Sequence, residues 1–105
     1  MNSVNLIGRL TRDPELNYTM SGKAVCNFSI AVDRRTKEDS ADFFDITCWN
    51  AQAESVASNM IKGLRVGVSG VLRQDQWEDK ETGANRSKVG VTAFSVDFLE
   101  FPDRE

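Results

Sequence analysis

The stretch DFFDITCW at residues 42–49 decides the predicted fold, because apolar and polar side chains alternate along it. Phe44, Ile46 and Cys48 fall on one side of an extended chain, since successive side chains of a β-strand point to opposite faces. The residues on the other side are Phe43, Asp45, Thr47 and Trp49. We therefore predict a strand whose first face lies in the core and whose second face displays two large aromatic rings.

The second face of this strand allows two interpretations. Aromatic rings on an open sheet face, with charged residues nearby, suit the stacking of unpaired nucleobases. The same rings could instead pack beneath a loop or against another subunit, because aromatic residues are common in strands. The stretch by itself leaves both interpretations open.

The same period-two alternation predicts four further strands. They are residues 4–10, 24–32, 65–77 and 87–99, with a short extended segment at 16–18 and turns at 21–23 and 78–85. Gly67 and Gly70 lie inside the fourth of the five strands, which indicates coiling, a bulge or a close backbone approach. In the last strand the apolar row shifts phase from Val89 and Val91 to Phe94, Val96 and Phe98. This shift predicts a β-bulge near residues 92–93.

One helix is predicted between the third and fourth strands. The apolar residues that recur there at helical spacing are Ala53, Val56, Ala57, Met60 and Ile61. We expect Asn50 to be the N-cap, and Lys62 and Gly63 to supply a basic last turn and a glycine stop. A single helix between strands 3 and 4 of five coiled strands favours an all-β, five-stranded Greek-key barrel, the OB fold.

Length and composition limit the other possibilities. A chain of 105 residues forms one domain, which we place at residues 1–100, followed by a short C-terminal remnant at 101–105. The net charge of −3 counts against a broadly basic surface, although 13 Lys and Arg residues on one face can still form a positive groove. We see no signal peptide and no apolar run of membrane-spanning length, and so expect a cytoplasmic protein.

Enzymatic and metal-binding functions are not expected. The chain has no histidine, and Cys26 and Cys48 lack the spacing of a metal site, so we read both as inert core residues. The sequence offers no cysteine nucleophile with a base to activate it. It also has no phosphate-binding glycine loop after a strand. The acidic residues between 75 and 81 straddle a hairpin, where a solvated turn is usual. We therefore predict neither a cofactor nor a catalytic residue.

Several motifs together resemble bacterial single-stranded DNA-binding proteins. The matching segments are VNLIGRL at 4–10, DPE at 13–15, GKAV at 22–25, FFDITCW at 43–49 and VSGVLR at 68–73. The resemblance extends over residues 2–100. It implies the OB fold, sequence-tolerant binding of single-stranded DNA, a homotetramer, and a role in replication, recombination and repair in the bacterial cytoplasm near the nucleoid. An organellar homologue fits the same motifs. The family recruits replication and repair enzymes through an acidic C-terminal tail, so we expect such partners only if the full-length protein has one.

The resemblance also assigns residues. Its base-stacking aromatic positions correspond to Phe43, Trp49 and Trp77, and two of its basic positions to Lys62 and Arg73. The predicted phosphate contacts are Lys62 and Arg73 together with Arg34, Arg35 and Lys37 of the charged loop between strands 2 and 3. Two departures are Asp45 and Ala51, which stand where some family members carry basic residues. The alternative function is an OB-fold protein-interaction module, such as a primosome accessory protein, that uses the same face for partners.

Overall fold

A computed structural model describes residues 1–36 and 40–102 of the chain. Its strands are β1 (Val4–Leu10), β2 (Glu15–Tyr18), β3 (Ala24–Asp33), β4 (Ala41–Trp49), β5 (Arg65–Glu78) and β6 (Asn85–Phe98), and its helix is α1 (Asn50–Asn59). Each strand overlaps a segment that the alternation of side chains predicted. The helix follows β4, as expected.

Five of the strands close into a ring. β1 pairs antiparallel with both β3 and β5, β5 pairs antiparallel with β6, and β3 pairs antiparallel with β4. A short parallel pairing of β6 with β4, through Ile46 with Val91 and Thr47 with Thr92, completes the ring. The predicted OB-fold barrel is thereby confirmed. β2, the short extended segment of the sequence, adds a sixth strand at the edge of β3.

The barrel core consists of the inward rows of these strands. Phe28, Ile30, Ile46 and Val66 are among its fully buried members, and α1 covers one end with Ala53 and Val56. The predicted core face of β4 is confirmed, since Cys48 is also fully buried and Phe44 packs against the cluster. Alternation therefore sets which aromatic rings of β4 remain outside.

The two cysteines lie in the core as predicted. Cys26 and Cys48 are cross-strand partners of β3 and β4, and neither is accessible to solvent. Their mutual hydrogen bond, together with burial, raises the pKa of the Cys48 thiol. A thiol held protonated inside a barrel serves as a small apolar residue.

A β-bulge interrupts the β5–β6 ladder close to its predicted place. Ser69 pairs with Ser95 and Gly70 with Ala93, so Phe94 is the extra residue of β6. The sequence reading placed Phe94 in the core row, which is wrong: the bulge turns its ring outward, with 70% of it exposed. Gly70 is required there, because a Cβ at this position would lie within 2.9 Å of the Ala93 Cα and closer still to the Thr92 carbonyl oxygen.

The predicted limits of the helix are wrong at both ends. Trp49 is the N-cap and makes no side-chain cap bond, while Asn50 is already the first helical residue, with φ of +60°. The helix ends at Asn59 without a basic last turn, and Met60 is extended. Gly63, with φ of +92°, belongs to a later turn. Within the described residues no helix has the length and apolar character needed to cross a bilayer.

Beyond the barrel rim, β5 and β6 continue as a projecting hairpin. Every residue of β5 from Leu72 onward is exposed, and the hairpin closes through a turn that contains Gly83 at φ of +71°. Leu72 shares the strand face of the buried Val66 and Val68, but it is 47% exposed because at that point the strand leaves the barrel. The chain end returns to the barrel, where Glu100 pairs with Arg9 at 2.8 Å. This arginine lowers the pKa of the Glu100 carboxyl.

Candidate nucleic-acid interface

The outer face of β4 carries two of the three predicted stacking residues. Phe43 is 68% exposed opposite Ala31, and Trp49 is 36% exposed opposite Val25. Six residues of strand separate the two rings by about 20 Å. The cross-strand neighbours on β3, Ala31 and Val25, are small, and part of each ring is accessible to a planar group from solvent.

Polar side chains occupy the space between the two rings. Thr47 donates a hydrogen bond of 2.8 Å to the Asn27 side chain on β3, and Asp45 lies beside Ser29 in the register. These groups bind hydrogen-bonding partners but offer no apolar cover. The face between Phe43 and Trp49 is therefore polar, which suits a flexible polar ligand.

The third predicted stacking residue, Trp77, lies on the projecting hairpin. It is 50% exposed, and its cross-strand partner is Arg86. Side chains two residues apart on a strand share a face, so Arg73 and Asp75 point to the same side as Trp77. Their partners on β6, Gly90 and Lys88, continue that face. The hairpin thus displays one aromatic ring next to a row of charged groups.

A groove of about 300 Å³ connects the β4 face with the hairpin face. Its lining residues are Arg12, Asn27, Phe28, Asp45, Ile46, Thr47, Arg73, Asp75, Lys88, Gly90 and Val91. Asp45 and Thr47 come from between the rings of β4, and Arg73 and Asp75 come from the strand that leads to Trp77. The groove therefore makes one continuous surface of two faces that the sequence predicted separately.

The charges of the groove are mixed. Three cations, Arg12, Arg73 and Lys88, face two carboxylates, Asp45 and Asp75. Arg73 contacts Asp75 at 3.3 Å, and Lys88 forms an ion pair with Asp45. The remaining positive charge explains how a chain with net charge −3 can still hold a locally positive surface.

The predicted cations of the β3–β4 loop are only partly described. Arg34 leaves β3 and pairs with Asp42, with Nη2 at 2.8 Å and Nε at 3.0 Å from the same carboxylate oxygen. Arg35 is exposed in the following turn. Lys37 lies outside the described residues. The loop begins at the Phe43 end of the β4 face, since the Arg34 amide bonds to the Ser40 carbonyl oxygen at 3.1 Å.

Lys62 stands apart from the groove. It lies exposed after α1, and its backbone amide donates to the Asp13 carboxylate at 2.8 Å. Asp13 follows Arg12 in the chain, and Arg12 lines the groove. Of the predicted site residues, Arg73 lines the groove. Phe43 and Trp49 lie on either side of the β4 residues that line it, Trp77 lies farther along β5, and Lys62 is not among the lining residues.

The chain is similar to known proteins over nearly its whole length. The profile of the Single-strand binding protein family matches residues 1–99, which is nearly the whole chain. This chain belongs to that family. Family membership agrees with the prediction that the chain is a binding protein and not an enzyme.

Individual relatives of this single-strand binding chain are bacterial. A single-stranded DNA-binding protein of Treponema pallidum is 46% identical over 104 residues, covering 94% of this chain and 58% of that protein. Single-stranded DNA-binding protein 1 of Synechocystis is 43% identical over 101 residues, covering 94% and 84%. Single-stranded DNA-binding protein 2 of Clostridium acetobutylicum is 48% identical over 105 residues, covering 96% and 78%.

The groove contains two cations that the sequence reading missed. Arg12 follows β1, and Lys88 lies on β6. A signal for Lys88 was present, because fixing the hairpin turn at residues 78–85 also fixes the cross-strand pairs and places Lys88 opposite Asp75. No such local signal exists for Arg12, which the barrel closure alone brings to the groove. Within residues 1–36 and 40–102, no cluster of three or more His, Cys, Asp or Glu side chains is arranged to hold a metal ion.

Proposed function

We propose that this chain binds single-stranded DNA with little base preference, by stacking bases on Phe43, Trp49 and Trp77. The observation that carries this proposal is the exposure of all three rings on β4 and β5, the two strands whose residues Asp45, Thr47, Arg73 and Asp75 also line the groove. Single bases have two open π-faces, whereas bases in a duplex have none to offer. The proposed binding domain is the barrel at residues 1–100.

Phosphate contacts complete the proposed binding mode. The proposed contacts are Arg73 in the groove, Arg34 and Arg35 where the β3–β4 loop begins, and Lys62 after α1. Lys37 of the same loop is proposed from the sequence alone. Neutralised phosphates release counterions from the nucleic acid, so affinity falls as salt rises. The chain thereby covers exposed single strands during replication, recombination and repair in a bacterial cytoplasm at the nucleoid. Recruitment of enzymes to those strands requires a C-terminal tail in the full-length protein.

Competition binding tests the function. Fluorescence anisotropy of a labelled oligo(dT) should rise on addition of the protein, and unlabelled single strands of any base composition should reverse it. Duplex DNA of the same length should compete poorly. An interaction module built on the same barrel would leave the labelled strand free, and displacement only by one particular sequence would contradict base-tolerant stacking.

We also propose self-association, as the family resemblance implies a homotetramer. Ile7 on β1 is 60% exposed and Leu99 47% exposed, and both side chains lie within 4.0 Å of where a Cβ on Gly67 would stand. These three residues form an apolar patch on the side of the barrel that β1 and β5 share. Exposed apolar surface of this kind is commonly covered in an assembly.

Light scattering of the chain and two variants tests self-association. Ile7→Asp should lower the molar mass at micromolar concentration, because it places a charge in the patch. Ile61→Asp is the matched control, since Ile61 is a second isoleucine with 48% exposure, after α1. Monomer mass for the unmodified chain would contradict the proposal, as would equal effects of the two variants.

A further inference from the structure

Two carboxylates already form ion pairs with two cations of the binding groove. Asp45 on β4 pairs with Lys88 on β6, and Asp75 pairs with Arg73 within β5 at 3.3 Å. Asp75 is also the cross-strand partner of Lys88. The four charges therefore alternate in sign across the width of the groove. A phosphate that enters must approach at least one cation that a carboxylate already contacts.

These ion pairs are accessible to an entering ligand. The side chains of Lys88 and Asp45 are 61% and 43% exposed, and those of Arg73 and Asp75 are 48% and 58% exposed. Ion pairs in this range of exposure add little to stability, because water solvates the separated charges well. They have no evident role in holding the barrel together, and an anion can exchange for either carboxylate.

We propose that Asp45 and Asp75 act as internal competitors for the phosphates of the bound strand, and so weaken binding and its salt dependence. This inference rests on the proposed function. A phosphate that contacts Lys88 displaces Asp45 but leaves that carboxylate within a few ångströms, where the two negative charges repel. The affinity for the bound strand is therefore lower than the number of groove cations alone would predict.

The two carboxylates should lower the salt dependence of binding as well as the affinity. For single strands, each fully neutralised phosphate contributes about 0.7 to the slope of log K against log salt concentration. A phosphate that shares Lys88 with Asp45 is only partly neutralised and contributes less. Removing the carboxylate should restore the full contribution without adding any contact.

The experiment measures the affinity for oligo(dT) and its salt slope by anisotropy for the unmodified chain, Asp45→Asn and Asp75→Asn. Asp45→Asn should bind about threefold to tenfold more tightly at about 0.1 M salt, the range expected for one repulsive charge near a phosphate. Its salt slope should steepen by up to about 0.7. Asp75→Asn should change both quantities in the same direction.

Two further variants separate a local effect from a change of net charge. Glu54→Gln on α1 removes one negative charge on the helix side of the barrel and should leave affinity within about twofold. Lys88→Gln should weaken binding, because Asp45 then faces the phosphate alone. The double variant Asp45→Asn with Lys88→Gln should return close to the affinity of the unmodified chain.

Each result decides one question. If the unmodified chain does not bind oligo(dT), the proposed function fails. If it binds and Asp45→Asn leaves both affinity and slope unchanged, the proposed function stands and this inference is overturned. An equal gain from Glu54→Gln would also overturn it, because the effect would then come from net charge and not from the groove.

Discussion

Replacement of Trp77 by alanine should separate DNA affinity from stability. The ring is 50% exposed on a hairpin whose residues from Leu72 to Glu78 are all accessible to solvent, so its loss should change the free energy of unfolding by less than about 0.5 kcal/mol. One base stacked on an aromatic ring contributes about 1–3 kcal/mol to binding. Trp77→Ala should therefore raise the dissociation constant for oligo(dT) by about fivefold to 150-fold at constant salt.

Anisotropy of a labelled strand measures this loss without relying on the tryptophan that is removed, and urea denaturation measures the stability. Trp77→Phe keeps a ring and should recover most of the affinity. Gln76→Ala is the matched control, because Gln76 neighbours Trp77 but points to the opposite face of β5. A folded Trp77→Ala protein that binds within twofold of the unmodified chain would refute the role of the hairpin ring.

Four other substitutions have defined outcomes. Gly70→Ala should lower the free energy of unfolding in urea by about 2 kcal/mol or more, since its Cβ collides with the Thr92 carbonyl oxygen, whereas Gly67→Ala should cost less than about 1 kcal/mol because its nearest neighbour is 3.8 Å away. Phe43→Ala should weaken oligo(dT) binding by about 1–3 kcal/mol without loss of fold, as measured by anisotropy and circular dichroism. Glu100→Gln should reduce stability at neutral pH, and the difference from the unmodified chain should vanish as pH falls through the lowered pKa of Glu100, as followed by urea midpoints.

Strand faces could be predicted from the sequence because alternation is a local property. The separation of Ile46 and Cys48 from Phe43 and Trp49 follows from the period of the strand alone, and the structure has it so. Phe94 shows the limit of this reasoning. A phase shift indicates that a bulge exists, but which residue bulges outward depends on the partner strand, here on the absence of a side chain at Gly70.

The ends of the helix depended on contacts distant in sequence. Apolar periodicity continued through Met60 and Ile61, yet the helix ends at Asn59. Beyond it, the Lys62 amide bonds to Asp13 and the Gly63 amide to the Leu10 carbonyl oxygen, both at 2.8 Å. These bonds draw the chain onto the end of β1, which no pattern within the helical segment records.

The stacking residues could be predicted from the sequence more fully than the groove could. Exposed aromatic rings within one strand are visible in the sequence, whereas the groove joins Arg12, Asp45 and Lys88 from three separate segments. The Asp45–Lys88 ion pair depends on the closure of β4 against β6, a pairing of only two residues of β4, Ile46 and Thr47. The sequence predicts that Phe43, Trp49 and Trp77 face outward, but it does not predict that Arg12 and Lys88 line the groove.

Tryptophan fluorescence during titration with oligo(dT) tests the central claim most directly. The chain contains two tryptophans, Trp49 and Trp77, and both belong to the proposed stacking surface. Variants Trp49→Phe and Trp77→Phe each leave a single reporter. If bases stack on both rings, oligo(dT) should quench both reporters saturably, with the same midpoint and with reversal by added salt. Fluorescence that stays unchanged in both variants, at protein concentrations where anisotropy shows binding, would contradict it.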